Sequence, residues 1–124
     1  MHYQDKLEVA NEVFNSTGQG ILVTDRSGTI LAINPAFTML TGYTEAEAVG
    51  KTPAILKTGR QDKAFYDEMW HSIHETGMWQ GAIWNKKKDG EEYLEWLNIS
   101  AVKDGAGEDV RYVGTFTDIT DEEL

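Results

Sequence analysis

Two histidines lie three residues apart in a segment with helical periodicity, and their side chains could bind a metal ion or haem. His71 and His74 fall on adjacent faces of one turn, and Asp67 precedes His71 by four residues. The alternative is that both imidazoles are solvated on the face opposite the apolar row of the same helix. The sequence favours the solvated alternative, so a haem-binding role is the weaker prediction.

No other group of residues has the spacing of a catalytic site. The sequence has no cysteine, no G-x-S-x-G, no phosphate loop and no H-E-x-x-H. Its 21 acidic residues produce close carboxylate pairs by chance, so spacing alone identifies no acid–base pair. Lys86–Lys88 is a basic run at a hairpin tip, where lysines usually keep a sheet edge soluble. We therefore predict that the chain is not an enzyme.

Composition limits the remaining function classes. The 124 residues (13.9 kDa) are enough for one domain with one core. The formal net charge of -10 disfavours nucleic acids and anionic membranes as partners. The sequence contains neither a basic-then-apolar leader nor an apolar run of the ~20 residues that a membrane span needs. These features predict a cytoplasmic protein that contacts neither nucleic acid nor membrane through this segment.

Periodicity and capping signals predict the elements that would position a site. Asn34 before Pro35, Thr44 with Glu47, and Asp62 are the expected helix N-caps. The predicted order is helix, two strands, three helices and three strands, which gives an α+β fold with a five-stranded antiparallel sheet and helices on one face. The predicted elements are helix 3–15, strands 21–25 and 29–33, short helices after Asn34 and Thr44, helix 62–76, and strands 79–86, 92–102 and 110–118.

Alternation along the last two strands predicts that both faces of the sheet carry large apolar groups. Glu95 falls on the inward face, where a buried carboxyl needs a partner or a raised pKa. Leu94, Trp96 and Val113 fall on the outer face and form an expected apolar patch. We expect the N-terminal helix, a second copy of the chain, or both to cover this patch, which predicts a homodimer.

Several motifs, taken in this order and spacing, resemble a PAS domain over residues 11–120. The motifs are Asn34-Pro35-Ala36-Phe37, Leu40-Thr41-Gly42-Tyr43, Gly50-Lys51, Asn85 to Gly90, Tyr112-Val113-Gly114 and Asp118-Ile119-Thr120.

The PAS resemblance implies a sensor module whose helices and inner sheet face enclose a ligand pocket. It implies an N-terminal flanking helix at 1–17, a sensor domain at 18–120 and the start of a truncated signalling helix at 121–124. Similar modules precede histidine-kinase or diguanylate-cyclase output domains, which would lie outside this chain. The pocket residues that the resemblance implies are Asn34, Leu56, Trp70, Ile83, Asn85, Glu95, Leu97 and Phe116.

The resemblance leaves the ligand open. The segment from Trp79 to Gly90 is similar to PAS domains that hold FAD and to the photoreceptor subgroup called LOV, but the sequence has no cysteine, which excludes LOV photochemistry. FAD is possible, with Trp70, Trp79 and Trp84 as stacking surfaces and Lys57 and Arg60 near the pyrophosphate. A ligand-free dimerisation scaffold is the main alternative. Of the polar positions that hold flavin in LOV, one matches Asn85 and the others fall on Thr52, Ala54, Lys57, Glu95 and Phe116.

Overall fold

The computed structural model describes residues 3–123. Its strands form one sheet in the order β2-β1-β5-β4-β3, and every neighbouring pair is antiparallel. This sheet, with helices packed against its inner face, confirms the predicted α+β fold class. The elements are α1 (Tyr3–Ser16), β1 (Gly20–Asp25), β2 (Ile30–Ile33), α2 (Pro35–Thr41), α3 (Glu45–Ala48), a 3-10 helix (Pro53–Leu56), α4 (Lys63–Thr76), β3 (Met78–Lys86), β4 (Glu92–Lys103), β5 (Asp109–Asp118) and a second 3-10 helix (Thr120–Glu123).

The helix boundaries follow local capping chemistry. Asn34 accepts the Phe37 amide before α2, and Asp62 accepts the Phe65 amide before α4. Thr44 and Glu47 form the reciprocal capping box of α3. These interactions place the helices against the inner face of the sheet, where α2, α3, α4 and the first 3-10 helix contribute to the core.

The apolar side chains of α1 have little cover within one chain. Leu7, Val9 and Val13 are each close to half exposed, and among the other elements α1 contacts mainly α2. The helix 3–15 was predicted, but α1 does not lie over β4 or β5 in this arrangement.

The outer apolar patch is narrower than the sequence indicated, because Leu94 is buried. Its strand partner Trp84 flanks it on one side, and Ile119, whose amide bonds to the Leu94 carbonyl, flanks it on the other. Trp96 remains 39% exposed and Val113 is half-buried. The exposed part of the patch therefore centres on Trp96.

Candidate functional site

A cavity of about 260 Å³ lies between the inner sheet face and the helices. The first 3-10 helix and α4 form one wall, and the inward residues of the strands form the other. Its volume is just below the ~300–1,000 Å³ of pockets that hold drug-sized ligands. Among the residues lining it are seven predicted pocket residues: Leu56, Trp70, Ile83, Asn85, Glu95, Leu97 and Phe116.

Two glycines help to keep this space open. A β-carbon at Gly20 would lie 2.4 Å from the Phe116 ring, so only glycine lets that ring lie against β1. Gly114 itself lines the cavity, and a β-carbon there would lie 3.0 Å from Leu22. At Gly114 the sheet therefore presents bare backbone to the cavity, and at Gly20 it leaves room for the Phe116 ring.

One end of the cavity is polar, and we call Tyr93, Asn85 and Glu95 the Glu95 corner. The Tyr93 hydroxyl donates to Glu95 Oε1 at 2.7 Å, and the nearby Asn85 amide also lowers the pKa of the carboxyl. Glu95 is only 1% exposed, and within residues 3–123 no lysine, arginine or histidine forms an ion pair with it.

Burial changes the acidity of this corner. Loss of hydration raises the pKa of Glu95 to about 7 from an ordinary value of 4.5, while the hydrogen bonds from Tyr93 and Asn85 oppose that rise. The negative charge of Asp118, the strand partner of Glu95, adds to the rise. Burial and the nearby carboxylate also raise the pKa of Tyr93. Both charge states of Glu95 are therefore accessible near neutral pH.

Asn34, the eighth predicted pocket residue, does not line the cavity. Its amide accepts the Ile21 and Phe37 backbone N–H groups at 2.8 and 3.0 Å and donates to the Gln19 carbonyl at 2.9 Å. These bonds join α2 to β1, and they occupy the amide within the fold. We therefore leave Asn34 out of the candidate site.

Two of the three tryptophans proposed as stacking surfaces pack elsewhere. Trp79 lies edge-on to Phe65 and over Gly81, where a β-carbon would come within 2.9 Å of its ring. Trp84 lies on the outer face beneath the Arg60 guanidinium, 4.1 Å from the ring centre. Trp70 alone of the three lines the cavity, against the edge of Tyr112.

The two predicted phosphate-binding cations also separate. Arg60 pairs with Glu92 at 2.6 Å while it stacks on Trp84, and it does not line the cavity. Lys57 does line the cavity, and its ammonium lies 4.3 Å from the centre of the Tyr66 ring. Lys57 is therefore at this site, whereas Arg60, the second cation that the sequence suggested, is not.

The histidines lie outside the cavity. His71 is exposed, and His74 Nδ1 lies 3.3 Å from Asp109 Oδ2. Across residues 3–123 no cluster of three or more histidine, aspartate or glutamate side chains could hold a metal ion. This placement favours the solvated interpretation of the pair over haem ligation.

A second set of polar side chains, absent from the sequence predictions, surrounds the start of β5, and we call it the Asp109 cluster. Asp109 accepts the Tyr112 hydroxyl at 3.1 Å and the Lys103 ammonium at 2.5 Å, and it faces His74. The Lys103 hydrogen bond outweighs partial burial and lowers the pKa of Asp109. Tyr112 lines the cavity with its ring, so the cluster adjoins the site.

Sequence reasoning also missed the pairing of Tyr93 with Glu95. The two residues are separated by one position on a single strand, so they share a face at a distance that a tyrosine can span. That spacing was the signal that could have identified the pair.

Comparison with known proteins identifies the family to which this fold belongs. A family model described as PAS domain matches residues 18–121, most of the chain. The chain belongs to the PAS domain family. A crystal structure of a PAS domain from a Colwellia psychrerythraea protein superposes with a TM-score of 0.89 and 25% identity, covering 94% of this chain and 99% of that one.

Similar PAS sequences occur within longer regulatory and sensory proteins. A nitrogen fixation regulatory protein of Klebsiella oxytoca is 32% identical over 81% of this chain and 20% of its own length. A blue-light photoreceptor of Listeria innocua is 28% identical over 94% of this chain and 47% of its own. The chain thus spans less than half the length of these relatives. None of the helices within residues 3–123 is long and apolar enough to cross a membrane.

Proposed function

We propose that this PAS domain is the sensory module of a larger signalling protein and that a small molecule in the cavity is its signal. The proposed sensor occupies residues 18–120, the flanking segment 1–17 contains α1, and a linker begins at 121. The observation that carries the proposal is the pairing of the cavity carboxyl of Glu95 with Asp118, at the end of the last strand.

The pairing connects the cavity to the C-terminal end of the domain, the segment from Asp118 to Thr120, which we call the exit segment. Glu95 and Asp118 are directly opposed across β4 and β5, where like charges destabilise each other. The Asp118 carboxylate accepts the Thr120 amide at 2.9 Å and its hydroxyl at 2.6 Å, and Thr120 Oγ1 accepts the Leu94 amide at 3.0 Å. A ligand that changes the charge of Glu95 changes the repulsion on Asp118, and through it the stability of this exit segment.

The proposal also includes an output domain after this segment and a dimer of the chain. A diguanylate cyclase or histidine kinase joined after Thr120 would be biased by the exit segment. The exposed Trp96 and the apolar residues of α1 supply the surface for a second copy of the chain. Trp96→Asp is then expected to weaken dimerisation without unfolding the domain, as measured by light scattering and circular dichroism. An unchanged dimer would contradict this part of the proposal.

Two other functions have an observation in their favour. FAD is favoured by Asn85 in the cavity wall, but a cavity of about 260 Å³ is smaller than the pockets that usually enclose drug-sized ligands, so it would enclose only part of a molecule as large as FAD. A ligand-free scaffold is favoured by hydrogen bonding, since within the described residues every fully buried side-chain polar atom has a partner.

Mass analysis after denaturation separates these candidates. Freshly purified protein is denatured, and the supernatant is compared with that of a Gly114→Leu variant, whose side chain would occupy the cavity. We expect a small molecule that the variant lacks. Released FAD with flavin absorbance would instead establish the FAD sensor, and two matching extracts without ligand would establish the scaffold.

Hydrogen exchange tests the route to the exit. Glu95→Gln removes the charge facing Asp118, so at pH 8 we expect slower exchange of the Leu94 and Thr120 amides than in the wild type. Glu108→Gln removes an exposed charge of the same kind and should change neither amide. Equal exchange in all three proteins would contradict the proposed route.

A further inference from the structure

The Glu95 corner has acceptor capacity that the fold leaves unused. A carboxylate offers about four lone-pair positions, and the hydrogen bond from Tyr93 uses one of them. Since Glu95 lines the cavity, the remaining positions are available to a ligand there. An ionised carboxylate that is buried to this degree gains most from a partner that carries positive charge.

Among residues 3–123, the surroundings of Glu95 supply no such charge. The groups that face it are Asn85 on β3, Tyr93 on its own strand, and Asp118 on β5. Tyr66 on α4, Tyr112 on β5 and Lys57 complete the titratable lining. Lys57 is the single basic lining residue in the described part of the chain, and its ammonium lies over Tyr66 without forming an ion pair with Glu95.

The other walls suit the apolar and cationic parts of one molecule. Leu22, Met69, Ile83 and Leu97 present apolar surface, and Phe116 and Trp70 contribute aromatic rings, whose faces attract organic cations. The net charge of -10 raises the local concentration of cations around the whole domain. The volume of about 260 Å³ limits the ligand to a compact molecule.

We propose that the cavity binds a small, largely apolar organic cation of the amine or amidinium class, whose positive nitrogen donates to Glu95. This proposal rests on the proposed sensory function and specifies the chemistry of its signal. Binding favours ionised Glu95, so it releases a proton whenever that carboxyl was protonated beforehand.

Calorimetric titration with three probes of similar size tests the charge requirement. The probes are 2-phenylethylamine, 2-phenylethanol and phenylacetate, which place a cation, a neutral hydroxyl and an anion on the same ring. A charge-assisted hydrogen bond of the usual strength predicts that the amine binds about 10- to 100-fold more tightly than the alcohol. Phenylacetate, which Lys57 alone could favour, should bind more weakly than either.

Variants and buffers identify the group that recognises the charge. Glu95→Gln keeps the size of the side chain and should remove the preference for the amine, whereas Glu108→Gln should retain it. Because Glu95→Gln could alter folding, the wild type is also titrated at pH 7 in phosphate and in HEPES, whose ionisation enthalpies differ. Proton release is expected with the amine and not with the alcohol.

The possible outcomes separate this proposal from the sensory function. Equal affinity for amine and alcohol, or an amine preference that survives in Glu95→Gln, would overturn the cation proposal and leave the cavity as a ligand site. Failure of all three probes to bind would overturn the cation proposal and remove the support that the cavity gives to sensing. The exit route is tested independently by hydrogen exchange.

Discussion

The Glu95 corner and the Asp109 cluster each pair a carboxyl with a tyrosine, and the two sites lie on neighbouring strands. The pKa of the carboxyl is shifted in opposite directions in the two sites. Tyr93 donates to Glu95 at 2.7 Å and Tyr112 donates to Asp109 at 3.1 Å. Yet the pKa of Glu95 rises to about 7, whereas the pKa of Asp109 falls below its ordinary value.

The difference comes from hydration and from one cation. The Asp109 side chain is 13% exposed and pairs with Lys103, whereas Glu95 is 1% exposed and faces the carboxylate of Asp118. Hydrogen bonds from a tyrosine and an asparagine do not replace the water that Glu95 loses on folding. The comparison shows that the cavity contains the acid for which the fold provides no counterion.

The largest expected effect is on the pH dependence of stability. Below pH 4.5 Glu95 is protonated in both the folded and the unfolded chain. Between pH 4.5 and 7 the carboxyl of Glu95 is ionised in the unfolded chain but still protonated in the folded one. The free energy of unfolding therefore falls as pH rises through this range. The total loss is about 3 kcal/mol, because one pKa unit corresponds to ~1.4 kcal/mol. Urea unfolding at pH 5 and pH 8 should show most of this loss in the wild type and in Glu108→Gln but not in Glu95→Gln.

Equal pH slopes in wild type and Glu95→Gln would contradict that prediction. The lowered pKa values of Asp25, Glu47 and Asp109 do not interfere, because these groups titrate below their ordinary values and so remain ionised from pH 5 to pH 8.

A smaller effect is expected from removing each tyrosine hydroxyl. Tyr93→Phe leaves the buried carboxylate with one donor fewer, and at pH 8 it should lower the free energy of unfolding by about 2 kcal/mol. The loss should be smaller at pH 5, where Glu95 is protonated. Tyr112→Phe should cost less at either pH, because Lys103 and water still contact Asp109. Equal losses for the two variants at pH 8 would show that burial does not distinguish the two sites.

The smallest effect is expected from removing Lys103, the cation that pairs with Asp109. Lys103→Gln removes the hydrogen bond that contributes most to the lowered pKa of Asp109, so NMR titration should show that pKa moving up toward its ordinary value. Lys63→Gln breaks the exposed pair with Asp67 and should leave Asp109 unchanged. An Asp109 pKa that does not respond to Lys103→Gln would show that Lys103 does not cause the difference between the pKa values of Asp109 and Glu95.

The parts of this molecule that local sequence determines could be predicted. The caps at Asn34, Thr44 and Asp62 depend on residues within three positions, and strand alternation placed Glu95 on the inward face, where it is buried. The same alternation indicated that Glu95 would need a partner or a raised pKa, although it did not identify Tyr93 as that partner.

The parts of the molecule that depend on contacts between residues distant in sequence could not be predicted. Arg60 pairs with Glu92 and stacks on Trp84, and Asn34 bonds across to Gln19 and Ile21, so neither side chain is available to a ligand as the sequence suggested. Leu94 is buried because Trp84 and Ile119 flank it, and a strand read in isolation cannot show its neighbours. The cavity volume also depends on how whole elements pack.

One measurement tests the central claim most directly: a carbon-13 NMR titration of the Glu95 and Asp109 side-chain carboxyls in the same wild-type sample. The account predicts a midpoint near 7 for Glu95 and one below the ordinary value of 3.8 for Asp109. A Glu95 midpoint at or below 4.5 would mean that the carboxyl is hydrated or already paired with a cation, and it would contradict the account of the cavity as a site that lacks its counterion.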